Sequence, residues 1–201
     1  MKRHSLNLRG SRTAVMGLLA ALPLALLWPA LRHTVEARML LHMLLEFPAL
    51  FVAGWAMQRM LLRVAAMRQL ARSWVLLDWR GWTGATLATV VTAAWMLPSL
   101  LDMALLSAAV ASVKYLSWWL AGWVLAGSLR RADPELRLFV AGNLAWMMAS
   151  AGMLYIDAPE RLCVNYLQGD QRQTGIALVL VAIALGVMAL RQMMRPLARV
   201  A

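Results

Sequence analysis

Six apolar stretches separated by short polar connections dominate the chain: Thr13 to Leu31, Met39 to Gln58, Trp82 to Leu101, Met103 to Leu129, Leu136 to Ile156 and Gly175 to Leu190. Crossing a bilayer as a helix takes about 20 mostly apolar residues, and each stretch reaches or approaches that length. Hydrocarbon offers the backbone no hydrogen-bond partner, so the stretches must satisfy it internally, as helices. The expected fold is all-α: one polytopic domain over residues 1–201, a bundle of about six transmembrane helices with no soluble domain.

Lys and Arg collect in alternate connections. Lys2 to Arg12, Arg59 to Arg80, Arg130 to Arg137 and Arg191 to Arg199 fall on one side, against only Arg32, Arg38, Arg161 and Arg172 on the other. By the positive-inside rule both termini are expected in the cytoplasm. The connections near His33, near Pro98 to Asp102 and near Cys163 to Gln171 are then expected to face the periplasm of a bacterial inner membrane. The basic start also has the form of a secretory signal. The first stretch is long and no small-residue cleavage site follows it, so it is expected to be kept as a span. The basic stretch from Arg59 to Arg80, with Trp74, Trp79 and Trp82, reads as an interfacial segment in contact with lipid headgroups.

Composition supports this picture. Of 201 residues, 62% are hydrophobic and 14% charged, against about 25% charged in soluble domains, which excludes an ordinary water-soluble enzyme. The net charge of +11 would suggest nucleic acid in a soluble protein. Here topology accounts for it, and no nucleic-acid partner is expected. Cys163 is the only cysteine, which excludes an internal disulfide framework. His4, His33 and His42 are too few for haem held between paired histidines. No HExxH or GxSxG motif and no nucleotide-binding signature is present, so neither haem, nucleotide nor enzymatic chemistry is expected.

Ionisable groups inside hydrocarbon cost about 2.5–3.5 kcal/mol each on insertion scales, so those that occur mark partners or function. Arg38, His42 and Glu46 recur at i, i+4 and i+8 with Met39 and Met43 alongside, one stripe of a helix. Met103, Ser107, Val110, Lys114, Ser117 and Ala121 form a second stripe at three- and four-residue steps. Glu46 and Lys114 share a depth and are expected to pair. Asn143 and Ser150 offer the fifth stretch polar contacts. Asp102, after Pro98, either caps the start of the fourth helix or takes part in a site. Thioethers suit Cu(I), but the methionines show no bias to one face, and only Met39, His42 and Met43 join sulfur to nitrogen.

Three segments resemble the CtaG family of membrane assembly factors that help load copper into cytochrome c oxidase. RMLLHMLLEFPALFVAGW, Arg38 to Trp55, is similar to the family's H-M-x-x-H-M-L-L stretch with its following proline and glycine. WMLPSLLDMALLSAAVASVKYLSWWLAG, Trp95 to Gly122, is similar to W-H-x-P-x-x-Y-D-x-A-L followed by H-x-x-E-H-L-S-F. LYIDAPERLCVNYLQGDQRQTG, Leu154 to Gly175, is similar to a P-L-Y loop ending in D-Q-Q-x-G-G. His42, Met43, Trp95, Pro98, Asp102, Asp170 and Gln171 match. The family's first histidine falls on Arg38, the histidine of W-H-x-P on Met96, and the H-x-x-E-H positions on Ala111, Lys114 and Tyr115.

The resemblance implies an inner-membrane assembly factor or copper chaperone acting at the periplasmic face. Its partners would be oxidase subunits or another copper enzyme, and Cu(I) its ion, held by His42, Met43, Met39 and Met96. Glu46, Asp102, Lys114, Cys163, Asp170 and Gln171 would be further functional positions. With most of the family's histidines replaced, a metal-free scaffold is the other form of this reading. A small permease or channel lined by Glu46, Lys114 and Asn143 is the alternative from a different class. The apolar cytoplasmic halves of the helices speak against it, because a path needs polar groups through the full depth.

Overall fold

A computed structural model describes residues 15–21, 23, 25, 26, 28–61 and 65–197. The basic N-terminal cluster, parts of the first apolar stretch, Arg63 and Arg199 lie outside the described residues. Regular structure among the described residues is helical throughout. From Pro29 on, the chain forms α1 (Pro29–Glu36), α2 (Met39–Leu41), a π-helical turn (His42–Glu46), α3 (Phe47–Leu61), α4 (Ala65–Leu77), a 3-10 turn (Trp79–Gly81), α5 (Trp82–Trp95), α6 (Pro98–Leu106), α7 (Ala108–Ser128), α8 (Pro134–Asp157) and α9 (Gln168–Leu197).

Three continuous helical segments are long and apolar enough to cross a membrane: Met39–Met60, Pro134–Asp157 and Gln168–Met194. A fourth is the broken pair Trp79–Trp95 and Pro98–Leu106, bent by 75°. The bend has a local cause. Proline clashes with helical geometry in the residue before it, and Leu97 is accordingly extended (φ −76°, ψ 125°) before Pro98 opens α6. The proposed third stretch therefore ends at Trp95, short of Leu101. The fourth starts at Ala108, after Ser107 leaves the helix and accepts a hydrogen bond from Val110 N at 3.5 Å. Met103 and Ser107 thus do not continue the face that carries Lys114, and Met103 is exposed.

Close helix contacts are built on glycine. A Cβ on Gly54 of α3 would stand 1.9 Å from Trp119 O, and one on Gly122 of α7 would stand 2.0 Å from Phe51 O. Gly152 of α8 and Gly175 of α9 approach each other's carbonyl oxygens in the same reciprocal way. Without a hydrophobic drive between helices in lipid, this close backbone packing is a main source of association. The α3–α7 contact sets the second stretch against the helix that carries Lys114. The largest core cluster gathers Met39, Phe47, Leu101, Trp118, Tyr155 and Tyr166 from α2, α3, α6, α7, α8 and the loop before α9.

Candidate functional site

Lys114 is the centre of a buried charge cluster. Its side chain is fully out of solvent in the first half of α7. Nζ lies 2.9 Å from Glu36 Oε1, 2.8 Å from His42 Nε2 and 2.6 Å from Glu46 Oε1. The pairing of Glu46 with Lys114 expected from their depth is present. Glu36 ends α1 and also accepts from Tyr115 Oη at 2.9 Å and from Arg32 Nε at 2.9 Å. Arg32 and Lys114 together balance Glu36 and Glu46, so the cluster is close to neutral, as burial demands.

The approach of Lys114 to Glu46 is short but poorly angled, an ion contact and not a directed hydrogen bond. Neither Glu46 carboxylate oxygen has a hydrogen-bond partner. His42 Nε2 stands 3.6 Å from Glu46 Oε1. An ammonium can only donate, so Nε2 accepts from Lys114 and Nδ1 carries the ring proton, 2.5 Å from Tyr166 Oη. Both ring nitrogens are therefore engaged. Phe47 closes the imidazole edge-on, with ring centroids 5.1 Å apart.

The π-helical turn His42–Glu46 is what brings these groups together. The wider turn keeps His42, Met43 and Glu46 all buried, and such turns recur at functional positions. Arg38, expected on the same stripe, precedes the helix in extended conformation (φ −122°, ψ 127°) and is exposed. It contributes nothing to the cluster.

A loop at residues 158–167 carries Tyr166 onto His42, and the remaining polar residues singled out in the sequence fasten that loop and its flanks. Asp102 of α6 accepts from Val164 N (2.9 Å), Asn165 N (3.3 Å) and Asn165 Nδ2 (2.9 Å). It does not cap the fourth helix; Ser107 does. Gln171 Oε1 accepts from Leu162 N at 2.8 Å, and its Nε2 donates to Tyr155 O at 3.3 Å. Asp170 accepts from Met39 N at 2.5 Å, tying α9 to the start of α2. Cys163 is buried with Sγ 4.0 Å from Pro98 O. Burial, with the Asp102 carboxylate nearby, pushes its thiol up to about 12. A thiol held protonated is a poor nucleophile and metal ligand.

No family model, curated protein or solved structure matches this chain. Glu36, His42 and Glu46 present ligand atoms within 4.8 Å of one another, a grouping that resembles a cation site, and Lys114 Nζ already touches one such atom of each. The ammonium stands where a cation would.

Of the four expected copper ligands, Met39 is wholly buried and Met43 nearly so. Met43 and Met96 line one apolar cavity. The thioethers thus belong to hydrophobic surroundings, while His42 belongs to the charge cluster. Asn143 and Ser150 bond within their own helix, to Met147 Sδ (3.4 Å) and Trp146 O (2.9 Å). Reading the sequence alone missed Glu36 and Arg32, whose i, i+4 spacing just before the second stretch was the available signal. It also missed Asp78, which at the far end of α7 accepts from Ser128 Oγ (2.7 Å), Gly84 N (3.1 Å) and Arg131.

Proposed function

We propose that this chain is a six-span protein of the bacterial inner membrane, both termini cytoplasmic, that acts as an assembly factor of the CtaG kind. It would serve a respiratory oxidase or a related copper enzyme at its periplasmic end. One observation carries the reading: three segments far apart in sequence that resemble the family meet in a single assembly. His42 comes from the first, Asp102 and Lys114 from the second, and Tyr166 and Asp170 from the third. The connections that the charge pattern assigns to one side gather at that same end, which supports the topology.

Lys114 favours the scaffold form of this role. A metal entering among Glu36, His42 and Glu46 would have to displace the ammonium, and carboxylate and imidazole donors are not the soft set that Cu(I) prefers. The cluster therefore does not fit resident copper, and its role is to hold the outer end in one shape for a partner. Copper as cargo is the second reading, favoured by the shared cavity of Met43 and Met96.

The test is maturation of the oxidase in cells carrying the parent or a His42→Ala chain. A variant that accumulates in the membrane but yields less active, copper-loaded oxidase supports the role; unchanged oxidase overturns it. Cu(I) loading of purified parent and of a Met43→Leu, Met96→Leu variant separates the two forms. Stoichiometric copper lost in the variant supports cargo, and no copper in the parent supports the scaffold.

A further inference from the structure

A second feature of the bundle, well apart in chemistry from the Lys114 cluster, is the cavity among α3, α5, α7 and α8. Its volume is about 160 Å³, close to that of engineered protein cavities that admit a benzene ring. Phe47 and Trp118 form one wall, stacked with ring centroids 4.8 Å apart and planes at 24°. The thioethers of Met43, Met96 and Met147 line it as well, and methionine adapts its shape and makes favourable contacts with aromatic rings. The cavity is partly open, so a chain attached to an enclosed ring has a way out.

Of the hydrogen-bond donors on the lining residues, one has no acceptor and a second has only a weak one. Trp118 is 6% exposed, and its indole N–H is buried with no partner. Asn143 Nδ2 reaches only a thioether, Met147 Sδ at 3.4 Å, a weak acceptor. Buried donors are nearly always satisfied, so the Trp118 N–H points to an occupant that brings an acceptor, and half-buried Asn143 offers a second donor in the same lining. An acyl chain brings none, and a metal ion held by the thioethers would leave the Trp118 N–H unpaired. A quinone has the ring size, the apolar body and carbonyl oxygens on opposite edges of the ring.

We infer that this cavity binds the ring of a membrane quinone, with Trp118 and Asn143 as donors to its carbonyls. The site shares Met43 and Met96 with the copper-cargo reading but is tested by a quinone and by Trp118, so its failure and that of the assembly-factor role are distinguishable.

The experiment is calorimetric titration of 1,4-benzoquinone's redox-stable tetramethyl derivative, duroquinone, into the full chain purified in detergent, with p-xylene as a smaller ring that carries methyl groups where the quinone carries carbonyls. One saturable site is expected in the parent. Trp118→Phe keeps the stacked ring but removes the N–H, and is expected to weaken binding about tenfold, the worth of one good hydrogen bond. Met147→Trp, at a half-buried position on the cavity wall, is expected to abolish it, and p-xylene to compete poorly. Absence of saturable binding in the parent, parent-like binding by Trp118→Phe, or equal displacement by p-xylene overturns the site. Should Met147→Trp fail to fold, Trp118→Phe and the competition decide alone.

Discussion

Lys114 Nζ lies 2.6 Å from Glu46 Oε1, and both side chains are wholly excluded from solvent. Breaking a buried pair by removing one partner strands the other charge and costs about 3–5 kcal/mol, whereas apolar replacement of both is often neutral or better. Lys114→Met is therefore expected to lower the thermal midpoint sharply and reduce accumulation in the membrane. The Lys114→Met, Glu46→Met double variant is expected to recover much of that loss. Equal damage in single and double variants, measured by thermal unfolding in detergent, would show that the pair is not the source of the effect.

Tyr166 links the loop at residues 158–167 to His42. Tyr166→Phe leaves a buried imidazole N–H unpaired, for about 1–3 kcal/mol. Asp102→Ala frees the backbone of Val164 and Asn165 instead. Both variants are expected to loosen the loop, read as faster proteolysis within it; the loop in Asp102→Ala should open with less change in global stability.

Cys163 reports on the same loop. Its thiol is raised to about 12 by burial and by Asp102, and the thiolate is the reactive form. Maleimide labelling at pH 8 is expected to be slow in the folded chain and fast in denaturant. Asp102→Ala is expected to accelerate labelling of the folded chain; a rate equal to the parent's would mean that Asp102 does not hold the loop closed.

Acid should weaken the Lys114 cluster through Glu36. Burial works to raise its pKa, but the hydrogen bond and charge of Lys114, with Tyr115 and Arg32, outweigh this and hold it below the ordinary 4.5. A carboxyl whose folded pKa is depressed adds stability above its unfolded pKa. That contribution fades as pH falls through the folded value. The thermal midpoint is expected to drop below about pH 4.5, and to drop less steeply in Glu36→Gln.

Glycine sets the α3–α7 spacing, so Gly122→Val is expected to be among the most damaging single changes. Its Cβ alone would overlap the carbonyl of Phe51, and the backbone cannot move aside as a side chain can. Gly142→Val, where nothing lies within 4 Å of the added Cβ, is the control expected to be tolerated.

Local composition was enough to predict a helical chain with segments long and apolar enough to cross a membrane, because backbone hydrogen bonding in lipid leaves little choice of structure and depends on each stretch alone. The stretches from Met39, Leu136 and Gly175 correspond to long apolar helices. The common depth of Glu46 and Lys114 was equally readable, since depth follows from distance along the chain. What could not be read was which faces meet. Glu36 joins Lys114 across 78 positions and Tyr166 joins His42 across 124, contacts set by the glycine-packed crossing of α3 and α7 and by a loop fastened to Asp102. Helical periodicity places a residue on a face and says nothing of the neighbour opposite. It also assumes an unbroken helix, which is why Arg38 and Met103 were placed on stripes that the breaks before α2 and at Ser107 remove.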